Sequence, residues 1–156
     1  MDYREALSRS QSVCSRQEQC VQDMYIKLDR WGVNDSDIEK IIKQLEKEGF
    51  INELRYAASF ARDKFKFNKW GRIKISWMLR QKKITEDIIE QALSEIDNEQ
   101  YENLLVSELV KKMKNLKSRD KYEKKKKLIQ FASQRGFESE IIYKTIDNLL
   151  YSRSKK

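Results

Sequence analysis

The chain has no proline and no histidine, and it has only four glycines and two cysteines among 156 residues. Many short strands joined by tight turns would need more turn formers than this; long helices with short links do not. The missing histidine removes Ser–His and Cys–His nucleophile pairs, imidazole acid–base catalysis and every histidine-containing metal site. Cys14 and Cys20 alone cannot close a structural zinc site, and their spacing is not CxxC. Reduced, half-buried thiols in the cytoplasm are the simplest reading. No signal peptide reads from the start of the chain, and no apolar run is long enough to span a bilayer. Neither GxxxxGK[ST] nor GxGxxG occurs, so a nucleotide cradle of known type is not expected.

What is present is charge. Hydrophobic residues make up 39% and charged residues 37%, against about 45–50% and about 25% in ordinary soluble domains. The chain therefore has more surface than a compact globule of its length needs, and an elongated shape is expected. The net charge of +8 is graded: residues 1–51 hold eight Lys/Arg against ten Asp/Glu, 52–97 hold ten against seven, and 98–156 hold fifteen against eight. The later two thirds thus suit a polyanion or an acidic protein surface, with a merely solvated lysine-rich surface as the alternative.

One pattern recurs three times. Val33 is followed by Ile38, Ile42 and Leu45; Ile84 by Ile89, Leu93 and Ile96; Phe137 by Ile142, Ile146 and Leu149. Five places before each turn hydrophobe stand Leu28, Leu79 and Ala132. Gly32, Lys83 and Gly136 occupy the helix-ending position, where a left-handed residue is needed and lysine is the costly choice. Asn34 and Thr85 are proper N-caps, Glu138 is not. Ser15 with Glu18 reads as a capping box opening a helix to about Trp31, with a further helix over 2–12 before it. Helices are expected over about 35–48, 53–66 (capped by Asn52), 70–82, 86–97, 99–117, 120–135 and 139–151. The expected architecture is all-α: an elongated array of three tandem three-helix repeats, 1–51 with an N-terminal segment, 52–97, and 98–156 with a basic C-terminal tail.

The chain is poorly equipped as an enzyme. Asp35 with Asp37, and Glu86 with Asp87, sit in helix first turns, where acids meet the helix dipole favourably, so capping outweighs acid–base work. No catalytic residue, cofactor or metal is expected.

The richest segment is 62–83. It holds Arg62, Lys64, Lys66, Lys69, Arg72, Lys74, Arg80, Lys82 and Lys83 against one acid, Asp63, with Phe65, Phe67, Trp70 and Trp77 interleaved. On a continuous helix Lys69, Arg72, Ser76, Arg80 and Lys83 form one basic stripe, with Trp70, Ile73 and Trp77 on one flank and Ile75 and Leu79 on the other. Each tryptophan reads as core rather than as a base-stacking platform. Lys124 to Lys127 wrap more than a helix turn and, with Lys111, Lys112, Lys114, Lys117, Arg119 and Lys121, make a second electrostatic footprint. Helices 35–48 and 139–151 are mixed in charge and do not look like DNA recognition helices.

The run Leu45-Glu46-Lys47-Glu48-Gly49-Phe50-Ile51-Asn52-Glu53-Leu54-Arg55-Tyr56-Ala57, then Lys69-Trp70-Gly71-Arg72-Ile73 with Leu79 and Ile84, then Arg135-Gly136-Phe137 with Ile142, resembles the RecX family of bacterial recombinase regulators over about residues 15–150. Asn52 and Glu53, Tyr56, Lys83 and Glu138 depart from the family's usual aspartates, phenylalanine, glycine and serine, which touches caps and packing. The resemblance implies three tandem three-helix repeats that bind the RecA–DNA filament along its groove and bridge successive recombinase subunits. Such binding would hinder filament growth, strand exchange and cleavage of the repressor that controls the SOS response to DNA damage. Candidate contacts are Arg62, Lys69, Arg72, Arg80, Lys83, Lys124 and Lys125. Arg55, Tyr56, Gly136 and Phe137 are structural positions of the motif, and Arg55 is expected to pair with an acid. The expected partners are the RecA filament and, as an open further choice, single- and double-stranded DNA; no membrane is expected, and the chain is expected to be a cytoplasmic monomer. The alternative is a general basic nucleic-acid binder with no recombinase partner.

Overall fold

Short polar side chains open the helices by catching orphan amides. The carboxylate or amide oxygen of Asp2 accepts from the amide of Glu5 at 2.8 Å, that of Asn34 from Asp37 at 2.9 Å, that of Asn52 from Arg55 at 3.0 Å and that of Asp97 from Gln100 at 3.0 Å. The computed structural model describes residues 1–117 and 119–151. Among these there are nine helices and no strand: α1 (Tyr3–Arg16), α2 (Val21–Arg30), α3 (Asp35–Lys47), α4 (Glu53–Asn68), α5 (Arg72–Gln81), α6 (Glu86–Leu93), α7 (Asn98–Asn115), α8 (Lys121–Gln134) and α9 (Ser139–Tyr151). The basic tail at 152–156 lies outside the described residues.

The threefold spacing has one physical cause. In each copy the amide of the turn hydrophobe donates to the carbonyl five residues back: Val33 to Leu28 at 3.1 Å, Ile84 to Leu79 at 3.2 Å and Phe137 to Ala132 at 3.2 Å. The preceding residue is left-handed each time, Gly32 at φ 85°, Lys83 at 65° and Gly136 at 90°. This is the Schellman closure of a helix, and it turns the chain so that the hydrophobe falls back onto the core. Gly49, at φ 82° with Phe50 donating to Leu45 at 2.8 Å, repeats it at the end of α3.

The chain gathers into two compact units, residues 1–60 with 79–92 and residues 61–78 with 93–156. In the first, Met24, Leu28, Val33, Ile38, Ile41, Leu45 and Ile51 pack around Ala6 and Cys14 of α1. In the second, Tyr101, Leu105 and Leu109 of α7 are buried, as are Leu128 and Ala132 of α8 and Ile142, Ile146 and Leu150 of α9. Leu79 and Ile142 have no exposed surface, so Leu79→Ala and Ile142→Ala should each cost about 2–5 kcal/mol in chemical denaturation. A loss under about half a kilocalorie, the range of ordinary surface substitutions, would remove either residue from the core.

Two expectations fail locally. Ser15 with Glu18 opens no helix: α1 runs on to Arg16, the Ser15 hydroxyl donates back to the Gln11 carbonyl at 2.9 Å, and Glu18 accepts from Arg55 instead. Helix α6 stops at Leu93, short of 97, and Asp97 is released to cap α7.

Candidate functional site

The stretch between α4 and α5 organises the most unusual surface of the second unit. After Asn68 the backbone enters the left-handed region at Lys69, φ 60°, and the Lys69 ammonium donates to the Lys66 carbonyl at 2.9 Å. The Gly71 amide then donates to the Arg135 carbonyl at 2.7 Å and the Ile73 amide to the Gly136 carbonyl at 2.9 Å. Two glycines make this approach feasible: a Cβ on Gly71 would lie 2.4 Å from the Gly136 oxygen, and one on Gly136 would lie 2.4 Å from the Lys74 Cβ.

Arg72 is consumed by the same junction. Its Nη1 donates to Glu138 Oε2 at 2.9 Å, its Nη2 to Asn98 Oδ1 at 2.6 Å and its backbone amide to the Tyr101 hydroxyl at 2.8 Å. The guanidinium lies 3.8 Å from the Tyr101 ring centre. That hydroxyl donates in turn to Glu138 Oε1 at 2.5 Å. Burial and then the bond to Glu138 raise the Tyr101 phenol above its ordinary value, so it stays a donor at neutral pH. Phe65 stacks at 5.8 Å and Phe137 tilts at 5.1 Å against the same ring.

With this base fixed, the outward residues are apolar and basic together. Phe67 is 69% exposed, Ile73 53% and Trp77 56%. Trp70 has the Lys64 ammonium 5.1 Å and the Lys74 ammonium 4.5 Å from its ring centre, and Lys66 lies 5.6 Å from that of Phe67. Phe67 and Trp77 left in water, in a segment whose Phe67 and half-buried Trp70 rings carry lysines, have the composition of a protein-binding surface.

The expected five-residue stripe is not a face. Helical angles apply only inside a helix, and α5 covers 72–81, with Lys69 and Lys83 in left-handed turns beyond its ends. Ser76 is buried, and Arg72 is held as described. Trp77, expected in the core, is on the outside. Of the other candidates, Arg62 and Lys83 are exposed, and Arg80 is exposed but pairs with Glu86 at 2.5 Å. Lys124 is half-buried, and Lys125 pairs with Asp147 at 3.0 Å. Arg55 donates to Glu18 at 2.5 Å and to the Gly49 carbonyl at 3.0 Å, so it both pairs with an acid and covers the end of α3. Tyr56 is buried and stacks on Phe60 at 6.0 Å. The partners of Arg72 lie 26 to 66 residues away, beyond any local pattern; the adjoining Gly71 and the Gly136-Phe137-Glu138 turn were the available signal.

Among the described residues no cluster of three Cys, Asp or Glu could hold a metal, and no helix is long and apolar enough to cross a membrane. Cys14 and Cys20 are free and buried. Burial pushes both thiols up, Cys20 to about 11, so neither is a thiolate at neutral pH.

Residues 52–93 match the family model of the second three-helix domain of RecX, and residues 99–146 that of the third. The regulatory protein RecX of Prosthecochloris aestuarii is 34% identical over 149 residues, 96% of each chain. That of Clostridium botulinum strain Alaska E43 is 36% identical over 142 residues, 89% of this chain and 64% of the relative. A crystal structure of regulatory protein RecX matches with a TM-score of 0.85 at 27% identity, over 94% of this chain and 71% of that one. The crystal structure of RecX from Lactobacillus salivarius has the same TM-score at 23% identity, over 94% and 96%, and shares the fold.

Proposed function

This chain belongs to the RecX family, and on that premise we propose that it binds the RecA–DNA filament and inhibits filament growth, strand exchange and co-cleavage of the SOS repressor. It acts as a cytoplasmic monomer whose repeats divide at 51/52 and 97/98. The observation that carries the proposal is the exposure of Phe67, Ile73 and Trp77 within a stretch of sequence that also carries Lys66, Lys69 and Lys74. Apolar rings give contact area at low entropic cost, and the surrounding ammonium groups favour an acidic partner over a neutral one. Nothing in this arrangement calls for a reaction; its chemistry is adhesion.

The test is recombinase ATPase on single-stranded DNA, titrated with the protein. A filament modulator arrests growth at a few molecules per many recombinase subunits, because its target is a lattice. A general nucleic-acid binder, the reading favoured by the fifteen cations of residues 98–156, would inhibit only once free DNA is coated. It would bind bare duplex with a log–log salt slope of about −0.9 per phosphate contact. Inhibition that requires coating the DNA would overturn the filament reading.

A further inference from the structure

The cleft between α7 and α9 is filled at its head and open beyond. At the head Arg72 bridges Asn98, the first residue of α7, at 2.6 Å and Glu138, the residue before α9, at 2.9 Å. Residues three or four apart follow one line of a helix, so Glu102 and Val106 continue the line of Asn98, and Ile141, Thr145 and Leu149 continue that of Glu138. These five residues line an open groove of about 490 Å³ in the second unit. It shares no residue with the surface around Trp77. From Ile141 to Leu149 it runs about 12 Å at 1.5 Å per residue, the length of about two helical turns.

The end nearer Arg72 is acidic. Glu102 and Glu140 line it, both are exposed, and neither forms an ion pair among the described residues. Lys144 is the lining's one cation, so two carboxylates stand against one ammonium on a chain of net charge +8. Arg72 is held by a carboxylate and an amide; Glu102, Glu140 and Asn103 offer the same two acceptors again, about one turn further on, with no arginine of this chain between them. The far end is apolar. Val106 is 37% exposed, and Leu149 is half-buried, whereas its counterparts in the other two copies, Leu45 and Ile96, are buried. A polyanion or an acidic helix would meet the carboxylates with like charge. A cation followed by apolar side chains has a counterpart at every level.

We infer that this groove docks a basic amphipathic helix of another protein, with an arginine of that helix between Glu102 and Glu140 and its apolar side chains, one and two turns on, against Val106, Thr145 and Leu149. The surface around Trp77 carries lysines and suits an acidic partner; the groove suits a basic one. The chain can therefore hold two proteins of opposite charge at once, which makes it an adaptor. The inference does not rest on the filament reading, and its binding test leaves the recombinase out.

The probe is a fluorescein-labelled helical peptide of alanine and glutamine carrying two arginines and, one and two turns after them, leucines; its control has glutamates for the arginines. Anisotropy with the full chain should show binding of the arginine peptide and none of the control. Glu102→Gln with Glu140→Gln should weaken binding on the order of tenfold. Val106→Asp should weaken it at least as much, because it sets an unpaired carboxylate under the leucines. Glu102→Arg with Glu140→Gln should prefer the glutamate control, an exchange that a merely structural role would not produce. All three positions are exposed, so the melting midpoints should hold, which the same samples check. Failure of the arginine peptide to bind up to millimolar concentration, equal binding of the control, or wild-type affinity after either neutralisation of the acids or Val106→Asp would overturn the site. Inhibition of recombinase ATPase should be the same with and without saturating peptide; relief of inhibition by the peptide would overturn the second partner and make the groove part of the filament contact.

Discussion

Gly136→Ala is expected to destabilise the second unit by about 3–5 kcal/mol, against about 1–2 kcal/mol for Gly32→Ala in the first. Both glycines end a helix in the left-handed region, at φ 90° and 85°, so both substitutions incur the same backbone strain. They differ in what surrounds the new methyl group. At Gly32 nothing lies within 4 Å; at Gly136 the added Cβ meets the Lys74 Cβ at 2.4 Å and its backbone nitrogen at 2.6 Å. Gly71→Ala supplies the remaining comparison. Its backbone is not left-handed, yet its Cβ would strike the Gly136 carbonyl oxygen at 2.4 Å and the Phe137 nitrogen at 2.6 Å. Gly32→Ala thus measures strain, Gly71→Ala measures collision, and Gly136→Ala combines them. Urea unfolding of the three variants checks the order. Equal losses at 32 and 136 would mean that the start of α5 moves freely away from the 135–137 turn.

The three closures at Gly32, Lys83 and Gly136 were legible because a Schellman turn fixes the distance between a helix's last buried residue and the next hydrophobe, and that distance survives in the sequence. Even Lys83, a poor residue for its conformation, keeps the place. Other features were not local enough to read. The Ser15–Glu18 pattern satisfies a capping rule over four residues, but the rule cannot sense that α1 is still running or that Arg55 holds Glu18 from 37 residues away. Helix α5 has apolar residues on two flanks, Ile73 and Trp77 on one and Ile75 and Leu79 on the other. Periodicity alone gives no reason to choose the inner one. The second flank is inside, with Ser76 beside it, because α5 is anchored through Gly71 and Arg72 to residues far along the chain. The same anchoring turns Arg72 from a presumed contact into a structural group and leaves Trp77 in water.

That reversal sets the second large effect. Ile73→Ala with Trp77→Ala should raise the concentration that halves recombinase ATPase by well over tenfold, since a central tryptophan in an interface commonly carries about 2 kcal/mol or more. The melting midpoint should hardly move, because both side chains are more than half exposed and surface substitutions stay within about half a kilocalorie. Arg72→Glu should behave in the opposite way. It places a carboxylate against Glu138 and removes the donors to Asn98 and Glu138, so its loss of activity should track a fall in the melting midpoint. Arg80→Glu faces Glu86 at the surface and should change stability little. Measuring midpoint and inhibition together on the three variants separates a binding surface from its scaffold. An unchanged half-inhibitory concentration for the Ile73–Trp77 pair would move the filament contact off this surface, and the next place to test would be Lys124 and Lys125 on α8.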